Sequence, residues 1–485
     1  MGKSAVMEDV KKPGELLEGH LREGFRLVKQ WENVNTENIP GWGRKERVNF
    51  LENIPKDDVQ TRITTAVLLE NTRRWLRSLN EMVRTQHIAG YEKMIFDLVR
   101  CVVASLVVGD LVSVQPINAP IGVVFYMNIL YGSNKGNIKA GTPMYSALAG
   151  PATDDSYTAE RIEQEFVANG TGVLTDFTGN LSWMPVKPNS VRFVEAGGQV
   201  LSDDGNGNLT GDGTGTINYQ NGEYTLSFDS APGNGQAIVV DYQYIAEGSE
   251  SLPQIDLQLS MATVNTKIRA LRTRYSIPAE QDFKQFYGLN MDVELLTFMT
   301  NEVMREINYE IIRQLRGIAS AGVATWQRNP PAGVPYIWHK ETLYYELVRC
   351  SNMIFQATQR VTGNWVLAGV EVCNVIVTLS NFKPSAPPKG IAGVRKIGTL
   401  GDWTIYKDPS FPTNEWLMGH KGGNWLDTGY IYAPYLAPYI SNTVVLDDLI
   451  ARKALAHRYA TKVINSRFYA RGVMTGSADF YQPGA

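Results

Sequence analysis

Between about Gly170 and Ala246 the chain can hardly be anything but β-structure. Gly, Asn, Asp and Thr dominate there, and Lys187 and Arg192 are the only cations. Such residues disfavour helix interiors. Apolar residues alternate in Ser190–Val194, Thr225–Phe228 and Ile238–Tyr242, and turn clusters separate these runs. Period-two alternation buries one face of a strand. A compact all-β module is therefore expected, a sandwich, inserted in a longer loop. A chain of 485 residues must then build its main core elsewhere, and at about 150 residues per domain roughly three domains are expected.

The flanking sequence is mixed. Residues 1–60 carry both charges, several Gly and Pro, and no sustained apolar period, which predicts an extended arm that orders by lying on another surface. An amphipathic helix is expected from about Val59 to Gln86, with Leu69, Leu76 and Val83 at heptad spacing beside Trp75 and Leu79. Leu111 to Met127, broken by Pro116, Asn118 and Pro120, predicts two strands and a turn. Val293, Leu296, Val303, Ile307, Ile311 and Leu315 line one face of a long helix at 291–315, with Asn290 or Asp292 as cap and Gly317 as stop. A second helix covers about Lys340 to Val361, and short strands follow, among them Trp365–Leu367 and Trp403–Tyr406. The segment from Asn442 to Gly472 is basic and predicted to be partly helical.

The run Asp427–Tyr439 has a different grammar. Tyr430 and Tyr432 share one side of an extended segment. Pro434 lacks a donor, so a strand must stop, bulge or lie at an edge there. Tyr435 and Tyr439 add large amphipathic area of the kind that contact surfaces use.

Chemistry-bearing motifs are sparse. The sequence has no Walker loop, His-Glu-x-x-His, Cys-x-x-Cys or Gly-x-Ser-x-Gly pattern. The five histidines, His20, His87, His339, His420 and His457, are widely spaced, and Cys101, Cys350 and Cys373 sit apart in apolar surroundings as reduced thiols. No cofactor, metal or catalytic residue is expected. Asp204, Asn206 and Asn208 imitate the start of a calcium loop, but Leu209 stands where glycine is needed and Gly215 where a bidentate Glu is needed, so turn chemistry is the reading. Gly211, Gly213 and Gly215 are expected in a flexible tip, and Lys135 in a solvated polar loop, Gly132–Gly136. The net charge of −3 gives no global drive toward nucleic acid. The basic tail after Arg452 can touch nucleic acid or form a packed helix with a solvated side. No apolar stretch reaches the roughly 20 residues of a membrane span.

Several ordered segments resemble one known family. Gln115-Pro116-Ile117-Asn118-Ala119-Pro120-Ile121-Gly122, followed by Phe125 and Met127, is similar to a Gln-Pro turn with Gly-Pro-x-Gly and an apolar strand. Tyr275-Ser276, Gln281-Asp282, Gly288-Leu289-Asn290 and then Asn301-Glu302-Val303-Met304 resemble that family's approach to its long helix. Pro278 and Ala279 interrupt a stretch that is usually helical. Gly419-His420-Lys421-Gly422, and the run through Asp427, Tyr432, Pro434 and Tyr435, resemble its Gly-Tyr-Lys-Gly and Asp-Ala-Gly-Ile-Tyr-Tyr-Ala-Pro-Tyr-Val signatures. Across about residues 95–470 the order and spacing are those of the major capsid protein of T-even-type tailed bacteriophages.

That resemblance implies an α+β, Hong Kong 97-type capsid fold: an N-terminal arm at 1–60 and an N-terminal helix with the start of the peripheral domain at 61–127. An E-loop would follow at 128–265 holding the β module 170–246, then a peripheral domain at 266–361 with its spine helix 291–315. An axial domain at 362–440 and a C-terminal segment at 441–485 complete it. It implies a self-assembling shell, hexamers and then an icosahedron, with vertex, portal, scaffold and decoration proteins as partners, packaged double-stranded DNA inside, and no membrane. The virion would be its location and the bacterial host cytoplasm its place of synthesis. Leu16-Leu17-Glu18 fits the family's head-protease pattern, with trimming after Glu18. A pentameric vertex protein and an encapsulin-type compartment shell share the implied fold. A carbohydrate-binding adhesin remains a reading of the β module alone.

Overall fold

The computed structural model describes residues 13–35, 47–52, 54–82, 108–143, 157–247, 252–288, 291–385, 393–424, 426–441, 444–445 and 450–476. Two compact units result, Met127–Gln258 and the remainder of the chain.

The described residues begin with α1 (Pro13–Glu32), a short pairing of β1 (Val34–Asn35) with β2 (Arg47–Val48), and α2 (Val59–Met82). The N-terminal region is thus helical over twenty residues where an extended arm was expected. Leu27, Trp31, Phe50 and Leu51 are buried with Ala66 and Leu69 of α2. Gly24 lets the helices approach, since a Cβ there would lie 2.8 Å from Ile63 Cγ2. Charges at Arg22, Glu23, Arg26 and Lys29 interrupt this apolar spacing in the sequence. Then come α3 (Val108–Leu111), β3 (Ser113–Val114) and β4 (Ile121–Tyr131), the two strands and turn that were expected.

The β module contains β5 (Arg161–Asn169), β6 (Asp176–Asn180), β7 (Arg192–Glu195), β8 (Val200–Asp203), β9 (Asn208–Gly211), β10 (Gly213–Ile217), β11 (Glu223–Phe228) and β12 (Ala237–Gln243). It starts about nine residues before the expected boundary. It is one continuous sheet, in the order β5-β12-β7-β8-β9-β10-β11-β6, and not the two sheets of a sandwich. The sheet encloses Phe193, Leu201, Leu226, Ile238, Val240 and Tyr242. Two register shifts between β5 and β12 supply the bending that bulges provide. Gly211 and Gly213 are paired ladder residues, each with backbone carbonyl oxygen where a Cβ would stand, rather than a flexible tip. Asp204 closes a turn by accepting from the N–H groups of Asn206 (2.7 Å) and Asn208 (3.1 Å). Lys135 is the other departure. It is buried, its Nζ donating to the carbonyls of Tyr157 (2.9 Å) and Ala159 and lying 5.1 Å from the Tyr244 ring centre.

The chain continues through β13 (Ile255–Asn265), which pairs with β4, and β14 (Lys267–Ser276). Next is α4 (Ile277–Tyr287), where Pro278 occupies the first turn and Ser276 caps the start. Proline suits that position, whose N–H needs no helical partner, so Pro278 opens this helix instead of interrupting one. The long helix α5 (Met291–Ile318) runs through Gly317; Asn290 and the side chain of Asp292 lie outside the described residues. After it come β15 (Val323–Gln327), α6 (Tyr336–His339), α7 (Thr342–Thr358), β16 (Trp365–Ala368), α8 (Val370–Ile376), β17 (Phe382–Pro384), β18 (Arg395–Leu400), β19 (Trp403–Lys407) and β20 (Glu415–Gly419). Last are β21 (Tyr430–Ile440), β22 (Val444–Val445), β23 (Ile450–Val463) and β24 (Tyr469–Thr475). The basic tail is therefore strand where partial helix was expected. Ala, Lys, Arg and Leu are good helix formers, but propensity yields to tertiary pairing, and β23 is held on both sides by β14 and β21.

These elements form layers. A seven-stranded sheet, β15-β24-β20-β16-β19-β18-β17, buries alternate residues on opposite faces. Trp365, Leu367 and Leu417 pack in the core of α5, whereas Val366, Ala368 and Met418 join Leu347 and Ile354 of α7 and Ile376 of α8. The α5 core also contains Tyr430, Tyr432, Leu455 and Tyr459 from a second sheet, β14-β23-β21-β3 with β22 on β23. The long helix thus lies between two sheets, with apolar residues on both sides, which is why its apolar stripe is wide.

Candidate functional site

The motif residues nearest the N- and C-terminal ends of the match converge on β21. β3 runs parallel to it, with Val114 opposite Tyr432. Gln115 N–H donates to Tyr432 C=O at 2.9 Å and Ile117 N–H to Pro434 C=O at 3.0 Å. The Gln115 amide closes the turn, giving Nε2 to Phe125 C=O (2.8 Å) and accepting Phe125 N–H (2.9 Å). Pro116 sits between these two bonded residues. Gly122 must lack a side chain, because a Cβ would stand 2.8 Å from Ile117 Cγ2. Asn71 of α2 ties the turn down, donating to Ile117 C=O (3.0 Å) and Tyr435 C=O (2.8 Å).

Pro434 is accommodated by a bulge. The β21–β23 register shifts between Pro434 and Leu436 and again between Leu436 and Tyr439, so the missing donor falls where the ladder is broken. Tyr435 lies under the Arg458 guanidinium, 5.4 Å from its ring centre. Asp427 pairs with Arg360. The run is mostly buried and holds the fold together internally.

The other motif residues do not gather there. Tyr275 is buried on β14 opposite Ala451. Gln281 and Asp282 are exposed on α4, which buries none of its residues. Gly288 ends that helix in the left-handed region, φ 67°, which favours glycine. Asn301 is exposed on α5, and Glu302 pairs with Arg305 at 2.9 Å, whose hydrogen bond holds the carboxyl below its ordinary range. Glu18 is exposed on α1 and paired with Arg22.

A polar joint between α5 and the second sheet carries no motif and was not read from the sequence. Glu310 accepts from Lys267, from Arg269 Nε (3.1 Å), from Tyr459 Oη (2.6 Å) and from Gln314 (3.1 Å). Arg269 also reaches Glu306 at 3.0 Å. Burial alone would raise the Glu310 carboxyl, but the bonds from Lys267, Tyr459 and Arg269 outweigh it and hold it down to about 2. Beside it, His457 Nε2 meets Tyr432 Oη at 2.8 Å, and burial lowers this imidazole to about 4. The detectable signal was a pair of spacings: Lys267 and Arg269 share a strand face, and Glu306 and Glu310 share a helix face.

Among the described residues no group of three or more His, Cys, Asp or Glu side chains is arranged to hold a metal. Cys350 and Cys373 are buried free thiols, and Cys101 and His87 lie outside the described residues.

The Major capsid protein Gp23 family model matches residues 88–482. The major capsid proteins of Enterobacteria phages T6 and T4 are 25% and 26% identical over 375 residues, covering 71% of this chain and 72% and 69% of theirs. Among solved structures, the capsid of Myoviridae phage XM1 aligns over 64% of this chain and 89% of its own, at 10% identity and a TM-score of 0.30. A structure from Mycobacterium phage Bobi aligns over 48% of this chain and 79% of its own, at 12% identity and a TM-score of 0.34. The family match spans far more than half of the sequence, and this chain belongs to the Gp23 family of phage major capsid proteins.

Proposed function

We propose that the chain is the repeated subunit of an icosahedral phage head with the Hong Kong 97-type fold, assembling first as hexamers. In this reading α5 is the spine helix of the peripheral domain, and the seven-stranded sheet with α7 and α8 supplies most of the axial domain. The unit Met127–Gln258 is the E-loop with its inserted β module, now bounded near 161–243. The N-terminal arm is helix α1 and what precedes α2. Vertex, portal and scaffold proteins, and DNA on the interior side, are the partners this role requires, and trimming after Glu18 belongs to the same reading.

One observation carries it. Ile255, Leu257 and Met261 alternate along β13 and are 57%, 67% and 40% exposed, with Leu252 just before them at 59%. A two-stranded ribbon cannot bury its own apolar face, and permanent interfaces remove roughly 2,000 Å² or more from water. At about 25 cal/mol per Å² of apolar area, covering such ribbons with neighbouring subunits drives assembly against the cost of ordering them.

Negative-stain microscopy and sedimentation of the purified full chain test the proposal, with closed shells or hexameric rings expected. Replacing Ile255, Leu257 and Met261 together by Ser should leave a folded monomer that assembles poorly. A wild-type chain that stays monomeric at every concentration would refute the shell reading. Copy number per particle separates the hexamer subunit from a vertex protein, and intact mass of purified heads tests the trimming.

A further inference from the structure

The two halves of the charge balance are segregated. Residues 170–246 hold eight carboxylates and two cations, a formal −6, which leaves +3 on the rest of a chain totalling −3. Each half of that segregation has a defined surface.

On β14 Lys267 and Arg269 face α5, as their contacts with Glu310 establish. The even positions Ile268, Ala270, Arg272 and Arg274 are all exposed, Ile268 by 59%. Across the ladder Ala270 stands opposite Ala456 and Arg272 opposite Ala454. Ala270, Ala456 and Ala454 therefore leave a shallow apolar floor, flanked by Ile268 and rimmed by Arg272 and Arg274, with Arg458 across from Ile268 and Arg452 across from Arg274. Among the described residues neither Arg272 nor Arg274 forms an ion pair, and β14 is the outermost strand of its sheet.

The β module carries the opposite shape at one end of its sheet. Val173 and Leu174 project there, 82% and 56% exposed. Asp176, Asp212 and Asp229 lie at the same end of the sheet and are exposed. Asp229 N–H bonds Asp212 C=O at 3.1 Å, Ser227 Oγ bonds Asp176 at 2.6 Å, and Phe228 N–H bonds Thr175 C=O at 3.1 Å. These bonds gather the three aspartates around the ends of β6, β10 and β11.

From this complementarity of charge and shape we infer that the Val173–Leu174 tip of one copy docks on the open β14–β23 face of a second copy. The two apolar side chains sit on Ile268, Ala270 and Ala454, and the aspartates face Arg272 and Arg274. The contact rests on the shell reading above, and it assigns to the β module a partner surface that the family relationship does not specify. Exposed ion pairs steer and select more than they bind, so the apolar tip supplies the area and the charges set the register.

The test uses full-length protein in charge reversals: R272E/R274E, D212K/D229K, and all four together. Circular dichroism melts confirm that each subunit folds. Each double variant should raise the subunit concentration needed for shell formation roughly tenfold, in a salt-dependent way, and the quadruple variant should recover most of the loss. V173S/L174S should weaken shells without that salt dependence. If the wild type forms no shells, the assembly reading fails. If it does and the quadruple variant is no better than the doubles, the docking contact alone is overturned. If R272E/R274E shells form normally but soluble R272E/R274E loses binding to duplex DNA, the face belongs to nucleic acid and the inference is likewise overturned.

Discussion

Replacing Glu310 by Gln should destabilise the unit built on α5 by an amount that vanishes in acid. The carboxylate accepts from Lys267, Arg269 and Tyr459, and its side chain is only 18% exposed, so solvent screens these bonds weakly. Its pKa falls from an ordinary 4.5 to about 2, which corresponds to about 3 kcal/mol. Because the folded value lies below the unfolded one, that stability is fully present above about pH 4.5 and is lost as pH falls toward 2. The substituted amide keeps an acceptor but no charge, and leaves Lys267 and Arg269 facing each other across it, so the variant should lose most of the 3 kcal/mol at pH 7.

Urea unfolding of unassembled subunits, followed by tryptophan fluorescence between pH 7 and pH 2.5, measures this directly. The wild-type and Glu310→Gln curves should lie about 3 kcal/mol apart at pH 7 and converge toward pH 2.5. A difference that stays constant with pH would mean that packing, not charge, explains the loss. A difference below about 0.5 kcal/mol at pH 7, the ordinary range for surface changes, would refute the joint itself.

Gly122→Ala should cost about 1–3 kcal/mol by pressing on Ile117, visible as a lowered melting temperature, while Gly141→Ser should be limited to backbone strain because no atom lies within 4 Å of its Cβ position. Burial of His457, neutral in the fold, should make stability fall as pH drops from about 6.5 toward 4; His457→Gln should flatten that part of the urea-derived profile. Burial lowers the Lys135 ammonium to about 8, so the β module should gain stability as pH rises from about 8 toward 10.5, and Lys135→Met should abolish that rise in thermal melts.

What could be read from the sequence was whatever declared itself over a dozen residues or more. The α5 stripe, Leu296 to Leu315, survives because every apolar member meets a sheet. The β module was legible from composition, but its first strand, Arg161–Asn169, was not. Its charged residues and the positive φ of Gln164 break the alternation, and its pairing with β12 runs from Ala237 opposite Asn169 to Gln243 opposite Arg161, far outside any local window. In β23, Ala-Arg-Lys-Ala-Leu-Ala imitates a helix; non-local pairing decides between the two states, and no local window contains it. Lys135 fails for the opposite reason. Its glycine-rich neighbourhood is loop-like, yet Trp183 and Tyr244 come from distant positions to enclose it.

The polar joint explains why these long-range pairings have a single register. Alternate residues of a strand recur about 6.7 Å apart, and residues four apart on a helix rise about 6 Å, so Lys267 and Arg269 can meet Glu310 and Glu306 together. A one-residue slip of β14 would turn Ile268 toward the helix carboxylates and send Lys267 and Arg269 to the opposite face. An uncompensated buried Glu310 would then cost several kcal/mol, more than regained apolar contact at Ile268 could return. The same register that turns Lys267 and Arg269 toward Glu310 keeps Arg272 and Arg274 outward. A joint internal to the subunit thereby determines which charges it presents to its neighbours.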